Sequence, residues 1–160
     1  MKYLGLDLGT ITGWATFDTK EGFKSGSQCL KVGKHLDYGM RMLEFKRLLE
    51  GFAELGLTAV FYEAVATHSS GHAGHLYGGF LGHVHSVCAQ YNIPFQGISV
   101  GTIKKHATGK GNAGKKRMIE FAKIQFPSQS ICDDNQADAL WVLHCGLKKL
   151  GYENKIFDVT

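Results

Sequence analysis

Apolar and polar positions alternate along Tyr3–Leu8, a stretch rich in strand formers, which predicts a β-strand closed by a Gly9-Thr10 turn. Gly13–Phe17 (GWATF) predicts a second strand, so the chain opens on a hairpin. After a turn-like stretch from Asp18 to Gly22, Phe23–Val32 supplies a third strand, weakened in its middle by Gly26. Leu36, Met40, Leu43, Phe45, Leu48, Leu49 and Phe52 then recur at steps of three and four, the period of an amphipathic helix over Asp37–Leu55.

Thr58–Tyr62 (TAVFY) is a short unbroken apolar run ending at Glu63, which suits a strand covered on both faces. The polar stretch Ala66–Gly74 is expected to be a loop, and Leu76–Tyr91 a helix softened by Gly78, Gly79 and Gly82. Ile93–Ile98 predicts a further buried strand. Ser99 can cap a short helix through His106, and a Gly-rich turn, Thr108–Gly114, leads into a helix over Lys115–Gln125. A last helix starts around Asp133 or Asp134, with Ala137, Leu140, Trp141, Leu143, His144 and Leu147 on its apolar side.

Three antiparallel strands followed by alternating helices and strands imply an α/β fold, a mixed five-stranded sheet flanked by helices. A right-handed crossover after the third strand sets strand 58–62 parallel to strand 3–8. Asp7 and Glu63 then meet at the carboxyl ends of neighbouring strands, where open sheets gather ligands and catalytic groups.

At 160 residues, 44% hydrophobic, the chain is expected to form one domain over residues 1–160. No apolar run approaches the roughly 20 residues of a membrane helix, and Asp7 breaks the N-terminal apolar stretch, so an intracellular, cytoplasmic protein is expected. Cys29, Cys88, Cys132 and Cys145 form no CxxC pair, which argues against a disulfide framework or a zinc knuckle.

Asp7 ends an otherwise apolar strand, where a carboxylate must be solvated, paired or bound to a cation. Taken alone it could simply cap the next turn; Glu63 repeats the oddity at a second strand end, which weakens that explanation. In Asp133-Asp134-Asn135-Gln136-Ala137-Asp138, the first acids suit a helix N-terminus. Asp138 lies a turn further in among apolar neighbours, and its i, i+4 spacing from Asp134 puts both on one face. Four converging carboxylates would repel one another unless metal ions neutralise them, and hard oxygen donors suit Mg²⁺ or Mn²⁺.

The net charge of +4 is modest, but residues 98–123 hold Lys104, Lys105, Lys110, Lys115, Lys116, Arg117 and Lys123 against the single acid Glu120. A merely solvated helix surface usually mixes both signs. Gly109, Gly111 and Gly114 with a lysine at a helix N-terminus favour a phosphate backbone as partner. The histidines His68, His72, His75, His83 and His85 match no common zinc spacing, and surface or substrate-facing roles account for them better.

Leu4-Gly5-Leu6-Asp7-Leu8-Gly9-Thr10 with Thr12-Gly13-Trp14-Ala15, then Phe61-Tyr62-Glu63, then Ile103-Lys104-Lys105 through Thr108-Gly109-Lys110-Gly111-Asn112-Ala113-Gly114-Lys115, then Ala137-Asp138-Ala139-Leu140, resemble the RuvC-type Holliday junction resolvases in order and spacing. The first segment alone also resembles actin-like ATPases, but 160 residues leave no room for their second lobe. The resemblance implies an RNase H-like fold and a homodimer that cuts four-way or related branched DNA in pairs, with two Mg²⁺ (or Mn²⁺) ions per active site. It also implies metal-binding, catalytic roles for Asp7, Glu63 and Asp138 and catalytic roles for Lys104 and Lys115; from the charge of the basic stretch, Lys105, Lys110, Lys116 and Arg117 are expected to contact the DNA backbone.

Two positions depart from the family pattern. The acid expected three residues before Asp138 is Asn135, so the fourth ligand is assigned to Asp134, with Asn135 the competing position. Where bacterial members carry aromatic residues that help open the junction centre, after Glu63, this chain has Ala64 through His72, so either His68 or His72 contacts bases or phosphates instead or the opening comes from elsewhere. These departures and the compact length are closer to a phage or viral branch, which would act in a host-cell cytoplasm. The glycines of Leu76–Tyr91 nominate that helix as the dimer interface. The competing functional class is an RNA-processing nuclease of the YqgF type.

Overall fold

The computed structural model describes residues 1–30, 38–67 and 70–152. β1 (Lys2–Asp7), β2 (Ile11–Asp18) and β3 (Gly22–Cys29) form an antiparallel meander, followed by α1 (Tyr38–Ala53), β4 (Ala59–Ala64), α2 (Gly71–Gln90), β5 (Phe95–Ser99), α3 (Val100–Thr108), α4 (Lys115–Gln125) and α5 (Asp134–Lys149). The strands order as β3-β2-β1-β4-β5, with β4 and β5 running parallel to β1. This is the mixed five-stranded sheet expected from the sequence.

Strand alternation sorts the apolar residues onto two faces. Leu4, Leu6 and Val60 pack with Phe45, Leu49, Phe80 and Val84 of α1 and α2. Tyr3, Phe17, Phe61 and Ile98 pack instead with Ile103, Met118, Leu140 and Leu143 of α3, α4 and α5. Asp7 and Glu63 continue the register of Gly5 and Phe61, and so belong to the α5 side.

α5 is more central than its pattern suggested. Between Gln136 and Leu147 every residue is buried except Asp138. The sheet accommodates it because a Cβ on Gly5 would lie 2.6 Å from the Leu143 Cβ, and one on Gly13 would collide with the Asn135 carbonyl. Only glycine admits the helix backbone this closely. Trp141 Nε1–H donates to the Met118 carbonyl at 3.1 Å and ties α5 to α4.

Several boundaries differ from the sequence pattern. α2 starts at Gly71, five residues before the expected Leu76, because the Ser70 hydroxyl accepts from the Ala73 N–H at 3.2 Å and caps it. The expected loop Ala66–Gly74 is therefore partly helical, and His72 lies in the first turn of α2. β4 runs through Glu63 to Ala64, which pair with Ile98 and Ser99. The third strand stops at Cys29, while the proposed strand end at Val32 and the helix start at Asp37 lie outside the described residues. Of the glycines in the nominated dimer helix, Gly79 faces α1, where a Cβ would lie 2.7 Å from the Met42 sulfur, whereas Gly78 and Gly82 are open. Among the described residues, no helix is long and apolar enough to cross a membrane.

Candidate active site

The centre of the site is built by β1 and β4. Their parallel register pairs Leu6 with Tyr62, so Asp7 and Glu63 follow side by side at the two carboxyl ends. The turn after Glu63 is held by Tyr77 of α2, whose hydroxyl donates to the Glu63 carbonyl at 2.9 Å and accepts from the Val65 N–H at 3.2 Å. Nothing in the sequence pattern singled out Tyr77, because a lone tyrosine in a Gly-rich helix carries no spacing signal.

α5 brings the other two acids. Asp133 is its N-cap, accepting from the Gln136 N–H at 2.8 Å, which leaves Asp134 in the first turn and Asp138 one turn further in. Gln136, between them, is buried and holds the helix start in place. Its Oε1 accepts from the Cys132 N–H at 2.9 Å, while Nε2 donates to the Ser25 hydroxyl at 3.0 Å and the Ser130 carbonyl at 3.2 Å. The Ser27 hydroxyl also donates to Asp133 at 2.5 Å, so β3 and α5 are latched together.

The four acids share one electrostatic neighbourhood. Burial, then the charges of Glu63, Asp138 and Asp134, raise Asp7 well above the usual carboxylate range, with Lys115 opposing. Asp138 is pushed up to about 7 by burial first and by Glu63 and Asp134 next, against the pull of Lys115 and Lys104. Burial raises Glu63, offset by Lys104. Asp134 moves the other way, because the Lys115 ammonium hydrogen-bonds its carboxylate.

The expected lysines divide accordingly. Lys104 of α3 is half-buried and acts on Glu63 and Asp138; Lys115, at the start of α4, pairs with Asp134. Lys105, Lys110, Lys116 and Arg117 are solvent-exposed, and Arg117 lies over the Phe121 ring at 5.1 Å. Asn135 is half-buried with its carbonyl against Gly13. His72 is exposed, and His68 lies outside the described residues.

The donor set fits a hard divalent cation: it is all carboxylate oxygen, partly desolvated and electrostatically strained, and already draws a lysine ammonium onto one member. In their present rotamers, no three His, Cys, Asp or Glu side chains among the described residues enclose a single ion position.

A mixed sheet of this order, with acids at the ends of its two central strands and on a helix crossing them, defines an RNase H-like fold with an acidic, lysine-flanked centre. Over 64 residues the chain is 31% identical to the crossover junction endodeoxyribonuclease RuvC of Rickettsia akari, a match spanning 39% of this chain and 41% of that relative. The Thermus thermophilus RuvC structure matches with a TM-score of 0.74 at 19% identity, covering 94% of this chain and 97% of that one. T. thermophilus RuvC in complex with Holliday junction substrate matches with a TM-score of 0.74 at 18% identity, covering 94% and 96%. No family model matches the chain. The likeness to the solved structures establishes the fold that the motifs implied.

Proposed function

We propose that this chain is a divalent-metal-dependent endonuclease that resolves four-way DNA junctions by paired phosphodiester hydrolysis. The observation that carries this reading is the meeting of Asp7, Glu63, Asp134 and Asp138 at the ends of β1 and β4 and the start of α5, with Lys104 and Lys115 beside them. The RuvC name of the R. akari relative and the junction bound by T. thermophilus RuvC support the choice of substrate.

Asp7, Glu63, Asp134 and Asp138 would hold the cation, Mg²⁺ or Mn²⁺, with two ions suiting four carboxylates. When bound, it supplies water activation and Lewis-acid stabilisation of the phosphoryl centre. Lys104, half-buried beside Glu63 and Asp138, places a fixed positive charge where the scissile phosphate must approach the acids. Lys115 leaves its contact with Asp134 for the incoming phosphate, so it acts as a cation shared between protein and substrate. Lys105, Lys110, Lys116 and Arg117, with His72 at the start of α2, grip the backbone of the arms. His68 belongs to the same segment as His72 and is assigned the same role.

Two-fold substrate symmetry calls for two centres, so the functional unit is a homodimer of single-domain protomers acting in the cytoplasm. The test is incubation of purified protein and Mg²⁺ with a four-way junction beside linear duplex, fork DNA and duplex RNA. Cleavage confined to branched DNA is expected; preferential cleavage of duplex RNA would overturn the reading in favour of an RNA-processing nuclease.

A further inference from the structure

A second cationic feature lies away from the acidic centre. Thr102, Lys105 and His106 of α3 face Cys145, Lys148 and Lys149 of α5 across an open cleft of about 620 Å³. Among the described residues, its lining holds three lysines and no Asp or Glu. The walls are joined beneath by the pair His106 Nε2 and His144 Nδ1 at 2.7 Å, so the cleft is preformed. Lys148 and Lys149 line the cleft beside Cys145, and their charges oppose the effect of burial on its thiol.

Lysines in a last helical turn complement the helix dipole, and that alone could explain Lys148 and Lys149. It does not explain Lys105 and Thr102, which reach the same cleft from a different helix. α3 also links the two regions directly. Lys104 acts on Glu63 and Asp138, whereas Lys105, about 100° further round the helix, lines the cleft.

We infer that the α3–α5 cleft is a second phosphate-backbone site, which holds a duplex arm of the junction beyond the point of cleavage. This rests on the junction-resolving reading and extends it to a surface outside the catalytic centre. From Asp138 to Lys149 the rise along α5 is ~16 Å, which at 3.4 Å per step of one DNA strand is roughly five nucleotides. Phosphates about that far from the cut meet the cleft.

The test uses a four-way junction in which the phosphates roughly four to seven nucleotides from the cut are replaced by uncharged methylphosphonates. Wild-type protein is expected to bind this junction roughly tenfold more weakly than the unmodified one, with the salt slope of log affinity reduced by about two. Lys148→Ala/Lys149→Ala should bind both junctions alike, and Lys148→Arg/Lys149→Arg should recover the wild-type preference. Equal binding of both junctions by the wild type, or the same loss in wild type and alanine pair, would overturn the cleft assignment. Failure of the wild type to cut the unmodified junction would overturn the underlying resolvase reading instead.

Discussion

Gly13 on β2 lies directly beneath the backbone carbonyl of Asn135 on α5, so closely that no side chain can stand between them. Gly13 is also the partner of Asp7 across β1 and β2. The contact that seats the helix thus sits beside the first acid of the site, and the spacing of Asp7 from Asp134 and Asp138 depends on it.

Gly13→Ala should therefore damage both stability and chemistry. Overpacking of this kind costs about 1–3 kcal/mol, and α5 must lift from the sheet to relieve it. A lowered urea midpoint together with slower cleavage at saturating protein is expected. A variant with wild-type stability and rate would show that the helix does not need this approach.

Asp7→Asn, Glu63→Gln and Asp138→Asn should each abolish cleavage while leaving junction binding intact or slightly tighter. Each removes a metal donor, and each relieves repulsion both within the cluster and toward phosphate. Cleavage assays paired with gel-shift affinity check this, and near wild-type cutting by any one variant would remove that residue from the site.

The fourth position separates Asp134 from Asn135. Asp134 carries the Lys115 contact and its charge reaches Asp7 and Asp138, whereas the Asn135 backbone is engaged by Gly13. Asp134→Asn is expected to lose cleavage and Asn135→Ala to keep most of it. The opposite ranking in single-turnover rates would move the ligand to Asn135.

Most of the sheet was legible in the sequence because its signals are local, alternation in Tyr3–Leu8 and short apolar runs bounded by turns elsewhere, and Asp7 and Glu63 stood out by their polarity at apolar strand ends. The long α2 was misjudged at its start, since Gly71 and Gly74 hide a helix that the Ser70 cap creates. The central burial of α5 was hidden for a different reason. It follows from Gly5 and Gly13 on distant strands, a complementarity no helical period reports. Tyr77 and Gln136 were missed because they act through backbone groups that only the tertiary fold brings near.

Lys104 and Lys115 should differ from Lys110 and Lys116. Alanine at either of the first pair is expected to slow cleavage at saturating protein by about a hundredfold, as loss of one preorganised charge contact does. Alanine at either of the second pair should weaken binding and lower the salt slope by about one counterion. Full recovery of rate at saturation by Lys104→Ala or Lys115→Ala would reduce that lysine to a backbone clamp.

His144 titrates over the same pH range as Asp138 but with the opposite effect on stability, so its own part is read from a variant. Burial first, then His106 and Lys148, push its pKa down to about 4 from 6.5. The folded state thus resists protonation. The stability this group contributes is present above about pH 6.5 and is lost as pH falls toward 4, by roughly 3 kcal/mol in all. His144→Gln should flatten that part of the Tm against pH curve, and an unchanged curve would show that His144 does not titrate in this window.

The most direct measurement of the central claim maps the cuts in a four-way junction labelled on each strand in turn, with Mg²⁺ and wild-type or Asp138→Asn protein. Paired nicks at symmetric positions in two opposed strands are expected from the wild type, and none from the variant, although it still shifts the junction in a gel. Wild-type protein that leaves the junction whole, or a variant that cuts it as the wild type does, would contradict the assignment of this carboxylate centre to junction resolution.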